Sequence, residues 1–291
     1  MARENVQNFS SGRGRFFGSG VDEVLNLFPN RTQDILRSRY NLEGSFKRGR
    51  TLEAIGRQYG VTRERVRQII QCAMKVARDK GAKSLDSAIE RIDNHLTEQG
   101  GIFAKEMLFE NLGAKTFDER GAVDFVLDYC DKFTLLSPGR YVTHAVAHKD
   151  FNHDVYQEII QEAEMILSDM KRPTQLPSLQ KKLTKKRGEE MNTKHLESYL
   201  ISSATIDRNP LNEWGMMSWG DIRPKSSGQR AYLVLRHFKR PMHFTEIAQK
   251  INDLGLSSRR SNPQTVHNEL IKSPLFALTG RGIYELSAWK K

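Results

Sequence analysis

Residues 51–70, TLEAIGRQYGVTRERVRQII, decide how the rest of the chain is read. Two short amphipathic runs meet at Tyr59-Gly60-Val61, where a glycine can take the positive φ that ends a helix. Thr62 follows, placed so that its hydroxyl can cap the free N–H groups of the next helix. The spacing predicts a helix-turn-helix. In the second helix Val66, Ile69, Ile70, Ala73 and Val76 recur at the intervals of one buried stripe. Arg63, Glu64, Arg67, Gln68 and Gln71 are left together on the other side. Their chemistry suits a major groove: arginine forks onto guanine O6 and N7, glutamate accepts from cytosine N4, and glutamine pairs with adenine.

Positive charge gathers at the same place. The chain of 291 residues has a net charge of +11, which suits a polyanion but is shared by ribosomal and membrane-surface proteins. Its location is more telling. Lys47, Arg48, Arg50, Arg57, Arg63, Arg65 and Arg67 face only Glu53 and Glu64 within positions 47–67. The loop at 44–50, GSFKRGR, puts Lys47, Arg48 and Arg50 where a phosphate backbone would pass beside the reading helix. With Arg57, Thr62 and Arg65 they complete the expected DNA-contacting set.

The run VTRERVRQI behind TLEAIGRQYG resembles region 4 of bacterial primary sigma factors, the domain that reads the minus-35 promoter element. Residues 24–42, VLNLFPNRTQDILRSRYNL, resemble the first half of the same region. The resemblance covers roughly a fifth of the chain. It implies that Arg63, Glu64 and Gln68 touch bases, that Arg67 touches base or phosphate, and that RNA polymerase is a partner through its β-subunit flap. Ile70 stands where the family usually has an acid and Cys72 where it has a lysine, so part of the phosphate clamp differs. With only about twenty residues before Val21, the sigma domains that melt the minus-10 element are not expected, which implies an accessory or split sigma factor.

Outward from the motif, residues 1–20 are polar and read as a flexible arm, with Phe16 and Phe17 as its only aromatic pair. Residues 21–80 predict four helices: one ending near Phe28, one over 32–40, and the motif pair. After Gly81 a pattern of three helices and a hairpin recurs, giving expected modules at 81–149, 150–222 and 223–291. In the first copy helices are expected at 85–96, 105–112 and 118–133, then a wing whose arms flank Ser137-Pro138-Gly139. In the second they are expected from 152 to 170, through Leu183, and over 193–203, with a wing ending at Trp219. The third holds AYLVLRHF, FTEIAQKIN and PQTVHNELIKS, then a hairpin around Gly280-Arg281-Gly282. Through HFTEIAQKIN and GRGIYEL this last copy resembles the HARE-type winged helix of the delta subunit of some bacterial RNA polymerases. The expected fold is mainly α with small β wings: a sigma-region-4-like helix-turn-helix followed by three tandem winged-helix-like modules.

Other chemistry is thin. The third helix of the first copy carries Asp118, Glu119, Asp124, Asp128 and Asp131, a poor face for phosphates, and reads as a spacer or protein-docking surface. Lys181, Lys182, Lys185, Lys186 and Arg187 in the second copy, and Arg259, Arg260 and His267 in the third, are weaker nucleic-acid candidates. His144, His148 and His153, with Asp150 or Asp154, lack the glutamate of a HExxH site and a nearby cysteine, so no metal is expected. Glu162 with Glu164 and Glu189 with Glu190 read as solvated surface. No nucleophile set or phosphate-cradling loop is present, so neither catalysis nor a cofactor is expected. Cys72 and Cys130 read as reduced thiols, and the absence of an apolar run of membrane length points to a cytoplasmic, nucleoid-associated protein without a membrane partner. The sequence therefore predicts a DNA-binding transcription protein acting on promoter duplex with RNA polymerase. A polymerase-independent repressor or nucleoid protein, and a delta-like polymerase-interaction protein, are the alternatives.

Overall fold

The computed structural model describes residues 16–81 and 83–289. Most of the expected arm, residues 1–15, lies outside them. Its last residues do not form an arm: α1 (Phe16–Leu25) begins there because Phe17, Val21, Val24 and Leu25 share one helical stripe, and all four are buried. Phe17 is thus enclosed by its own chain, with the Arg91 guanidinium 5.9 Å from its ring centre, and is not offered to a partner.

The next three helices are α2 (Asn30–Tyr40), α3 (Leu52–Tyr59) and α4 (Arg63–Asp79). α2 starts two residues earlier than the sequence predicts, immediately after Pro29. Between α3 and α4, Gly60 takes φ +64° and its N–H donates to Gly56 O, while the Thr62 hydroxyl accepts from Arg65 N at 3.1 Å. The hinge and cap stand where the motif placed them. The buried stripe of α4 does not: it runs through Val66, Ile70, Ala73, Met74 and Ala77, and Ile69 and Val76 are only half-buried. Ile69 and Val76 lie on one flank of that face, to the side of the line through Val66, Ile70, Ala73 and Ala77, and so sit at its edge.

Three copies of one topology follow. The first comprises α5 (Asp86–Glu98), β1 (Ile102–Ala104), α6 (Lys105–Leu112), α7 (Phe117–Tyr129), β2 (Phe133–Leu136) and β3 (Ala145–His148). The second comprises α8 (His153–Met170), β4 (Thr174–Gln175), α9 (Leu176–Arg187), α10 (Thr193–Ile201), β5 (Ile206–Arg208) and β6 (Glu213–Met216). The third comprises α11 (Ser227–Phe238), β7 (Met242–His243), α12 (Phe244–Asp253), α13 (Pro263–Lys272), β8 (Phe276–Gly280) and β9 (Ile283–Leu286). Their antiparallel sheets share one order, β1-β3-β2, β4-β6-β5 and β7-β9-β8, in which the last strand lies between the other two. This is a winged helix made three times, and the molecule is mainly helical with small wings.

Two details of the first copy depart from expectation. α7 stops at Tyr129, because Phe133 is taken into the sheet opposite His148. The second arm of its wing is Ala145–His148 and not the run directly after Ser137-Pro138-Gly139, since Leu136 pairs with Ala145 and leaves 137–144 as the connection. His144 and His148 consequently lie at a strand, and His148 Nε2 sits 3.0 Å from Asp93. In the second copy Glu162 and Glu164 are partly buried and engaged, by Arg187 and by the Thr205 hydroxyl, rather than solvated.

The chain divides into two compact units: one takes the described residues up to 138 with 143–151, the other 139–142 with 152–289. Within the first, α7 packs against α1, α2 and α4. Tyr40 meets Phe125 edge-on at 5.2 Å and donates its hydroxyl to Asp128 at 2.7 Å, and Arg78 donates to Tyr129 O at 3.0 Å. The acidic helix of the first copy is therefore a docking surface for its own chain. Within the second unit, Arg236 binds Asp221 at 2.6 Å and also Glu213, tying α11 to the chain before it. Among the described residues no helix is long and apolar enough to cross a membrane.

Candidate nucleic-acid interface

α4 is held by its neighbours so that its first turns stay open. Val66 and Ile70 are buried, as is Ile55 of α3, and Gly56 allows the two helices to meet: a Cβ there would lie 2.6 Å from Val61 O. Arg31 donates to Tyr59 O at 3.1 Å and steadies the end of α3 from α2. Gly56 and Arg31 are support residues that the motif reading missed. A buried glycine four residues before the hinge glycine has no signature distinct from any other helical residue.

Thr62, Arg63, Glu64, Arg65, Arg67, Gln68 and Gln71 are all exposed, and the structure brings them together on the first turns of α4. They pair with one another. Arg67 donates to both carboxylate oxygens of Glu64, at 2.8 and 2.5 Å, and to Gln71 Oε1 at 2.8 Å. Arg65 reaches Gln68 Oε1 at 3.4 Å. The bonds from Arg67 hold the Glu64 carboxyl below its ordinary value, and the same contact holds the Arg67 guanidinium above its own. Exposed pairs of this kind are screened by solvent, so exchanging them for base edges costs little. The Thr62 hydroxyl is occupied by capping, so its part is to start the helix whose N-terminal N–H groups favour an anion.

Around this face, Arg57 is exposed on α3 and rests on Glu53 at 3.4 Å, while Lys47 and Arg48 are exposed on the loop after α2. An open concavity of about 550 Å³ between α3 and α4 is bordered by Arg57, Arg63 and Arg65. Arg50 is different. It is half-buried, its guanidinium lies 4.8 Å from the Phe46 ring centre, and it donates to Gln58 at 2.5 Å, so it braces the loop against α3. Hydrogen bonds from Arg50 N to Ser38 O and from Phe46 N to the Asn41 side-chain Oδ1 fix the loop further.

The weaker candidates fare unequally. His267 is stacked on Phe244 at 4.3 Å, and Arg187 is held by Glu162 and Glu189 at 3.0 and 3.1 Å, so neither projects freely. Arg259 and Arg260 are exposed. Among the described residues no group of three potential metal ligands comes together.

Residues 24–78 match the family model for sigma-70, region 4, and residues 229–289 match that for the HARE-HTH domain, whose description includes ASXL and restriction endonuclease helix-turn-helix domains. Over 58 residues the chain is 43% identical to RNA polymerase sigma factor SigA of Listeria monocytogenes, a stretch that is 20% of this chain and 15% of that protein. SigA of Lactococcus lactis subsp. cremoris is similar to the same degree, 43% over 58 residues with the same shares of each chain. RNA polymerase principal sigma factor HrdD of Streptomyces viridifaciens is 38% identical over 65 residues, 21% of this chain and 19% of its own. The chain thus spans less than a fifth of the length of these relatives. No solved structure matches it. The chain carries a DNA-binding helix-turn-helix of the sigma region 4 type and, at its other end, a winged helix of the HARE-HTH type.

Proposed function

We propose that this protein binds duplex DNA sequence-specifically through α4 and does so in transcription, at a minus-35-like promoter element and together with RNA polymerase. The observation that carries the reading is the exposed Arg63-Glu64-Arg67-Gln68 face, capped by Thr62 and flanked by Lys47 and Arg48. Bases are met by the α4 side chains, phosphates by the loop and by Arg57 and Arg65, and no catalytic step is involved. Polymerase enters through what the relatives are named for, sigma factors of that enzyme.

The test is fluorescence anisotropy on a minus-35-type duplex and on a scrambled one. Arg63→Ala or Gln68→Ala is expected to cost about 1–3 kcal/mol on the specific duplex and to relax preference at one position. Lys47→Ala is expected to weaken both duplexes alike. Equal losses on both duplexes for all three variants would remove base reading from α4.

One observation favours a second reading, a site-specific DNA-binding protein that acts without polymerase: α7 already packs on α1, α2 and α4, leaving the DNA-facing side as the open part of the domain. Co-purification of polymerase subunits with the tagged full chain separates the two.

A further inference from the structure

The second winged-helix copy lies between the two stretches that match a family, and it carries a run of basic residues on one helix. α9 buries Leu179 and Leu183 completely, which turns Lys181, Lys182 and Lys185 to the opposite side, all exposed. Among the described residues no carboxylate lies within ion-pair distance of any of the three. Five arginines of the unit are paired. Arg187 is bound by Glu162, Arg208 by Glu197 at 2.7 Å, Arg223 by Asp207 at 2.6 Å, Arg236 by Asp221 at 2.6 Å, and Arg240 by Glu246. Glu189, the acid nearest the end of α9, is taken up by Arg187, and Lys186 leans away to donate to Met165 Sδ at 3.4 Å. The carboxylates around α9 that form ion pairs, Glu158, Glu162 and Glu189, are taken by Arg187, which leaves three lysines on one helix face uncompensated.

Free positive charge at this density seeks a polyanion, and the identity of the groups says how it would be met. Lysine is a hydrated point charge that suits phosphate oxygens and, without a planar fork, is less exacting about geometry than arginine. α10, the helix after the turn, carries no arginine, glutamine or asparagine among its residues 193–201, and its Glu197 is held by Arg208. The copy therefore has a helix poorer in base-reading side chains than α4 beside a phosphate-compatible one.

We infer that the Lys181-Lys182-Lys185 face of α9 is a second, sequence-independent contact for the phosphate backbone of duplex DNA. It adds affinity without specificity and stands independently of base reading by α4. Because each neutralised phosphate releases condensed counterions, the contact is visible as salt dependence.

The experiment is anisotropy of the full chain on a random-sequence duplex of about 40 base pairs, across a salt series, comparing wild type with Lys181→Gln/Lys182→Gln/Lys185→Gln. The plot of log affinity against log salt is expected to become shallower by about 2–3, at about 0.9 for each phosphate no longer neutralised. The triple Lys→Arg variant is expected to keep the wild-type slope, and the triple Lys→Gln change made on Arg63→Ala/Gln68→Ala is expected to lose the same amount. A slope change below about one in the Gln variant overturns the inference, and leaves the lysines as a solvated face or a seat for an acidic protein. Loss of the slope in the Arg variant as well overturns it too, since charge is then not what the face contributes.

Discussion

Gly60 and Gly49 lack the same side chain for different reasons, and their substitution separates backbone strain from contact. Gly60 sits at φ +64° with nothing near the position of a Cβ, so Gly60→Ala is expected to cost about 1–2 kcal/mol from conformation alone. A Cβ on Gly49 would lie 1.7 Å from Arg39 O, so Gly49→Ala must displace the loop bearing Lys47 and Arg48. Urea denaturation should rank Gly49→Ala as the more destabilising, and it should also weaken binding to any duplex; equal costs would mean that the loop accommodates the methyl group. Glu64 offers a charge-based check. Removing Arg67 removes the bonds that depress the Glu64 carboxyl, so Arg67→Ala should raise the midpoint of its NMR titration towards the usual glutamate range. The side of α4 that is open to solvent could be read from spacing, because helical period alone sets it. The bracing by Arg50 could not, since it depends on where Phe46 and Gln58 are brought by the fold.

α4 and α7 illustrate two ways of fixing a helix. The first is started locally: Thr62→Ala removes the acceptor for Arg65 N and is expected to cost about 1 kcal/mol, with a matching loss of helix at the α4 N-terminus measurable by hydrogen exchange. The second is fixed by docking. A Cβ on Gly121 would meet Tyr40 O at 1.9 Å, so Gly121→Ala pries α7 from α2, whereas Tyr40→Phe removes one hydrogen bond to Asp128, which water can replace. Chemical denaturation should show the glycine variant as clearly the worse of the two. Burial and the Asp128 carboxylate hold the Tyr40 phenol far above its ordinary value, so it remains a donor across the neutral range. The acids of α7 advertised a surface unsuited to phosphate. Their destination on α2 and α4 had no sequence signal, because it joins residues some ninety positions apart.

For the whole molecule, two predictions concern the first unit. A fragment ending at residue 81 lacks the α7 cover over α1, α2 and α4, including Phe125 against Tyr40, and should melt at a lower temperature and less sharply than one ending at 151. The second concerns pH. Burial pushes the His95 ring below its ordinary value, and burial followed by Lys105 does the same for His144. The unfolded chain then binds more protons than the folded one just below neutral pH. The stability at stake is present above about 6.5 and is lost as pH falls through that region. The melting temperature is expected to drop between pH 7 and 5, and His95→Gln should remove part of the drop; an unchanged slope would show that the ring titrates freely in the fold.

The linear chain contains its own helix starts, stops and faces, since hinge glycines, capping hydroxyls and apolar intervals act over a few residues. It also contains the recurrence of the winged units, whose breaks repeat at a near-constant interval. The short strands β1, β4 and β7 are another matter: two or three residues carry no periodicity, and each exists only because the returning strand of its wing lies beside it. The same holds for the cover that α7 places over the sigma-like helices, and for the capture of Glu158, Glu162 and Glu189 by Arg187 that leaves the α9 lysines without an acid. Each of these is a pairing between distant positions, and such pairings come into being when the chain closes on itself.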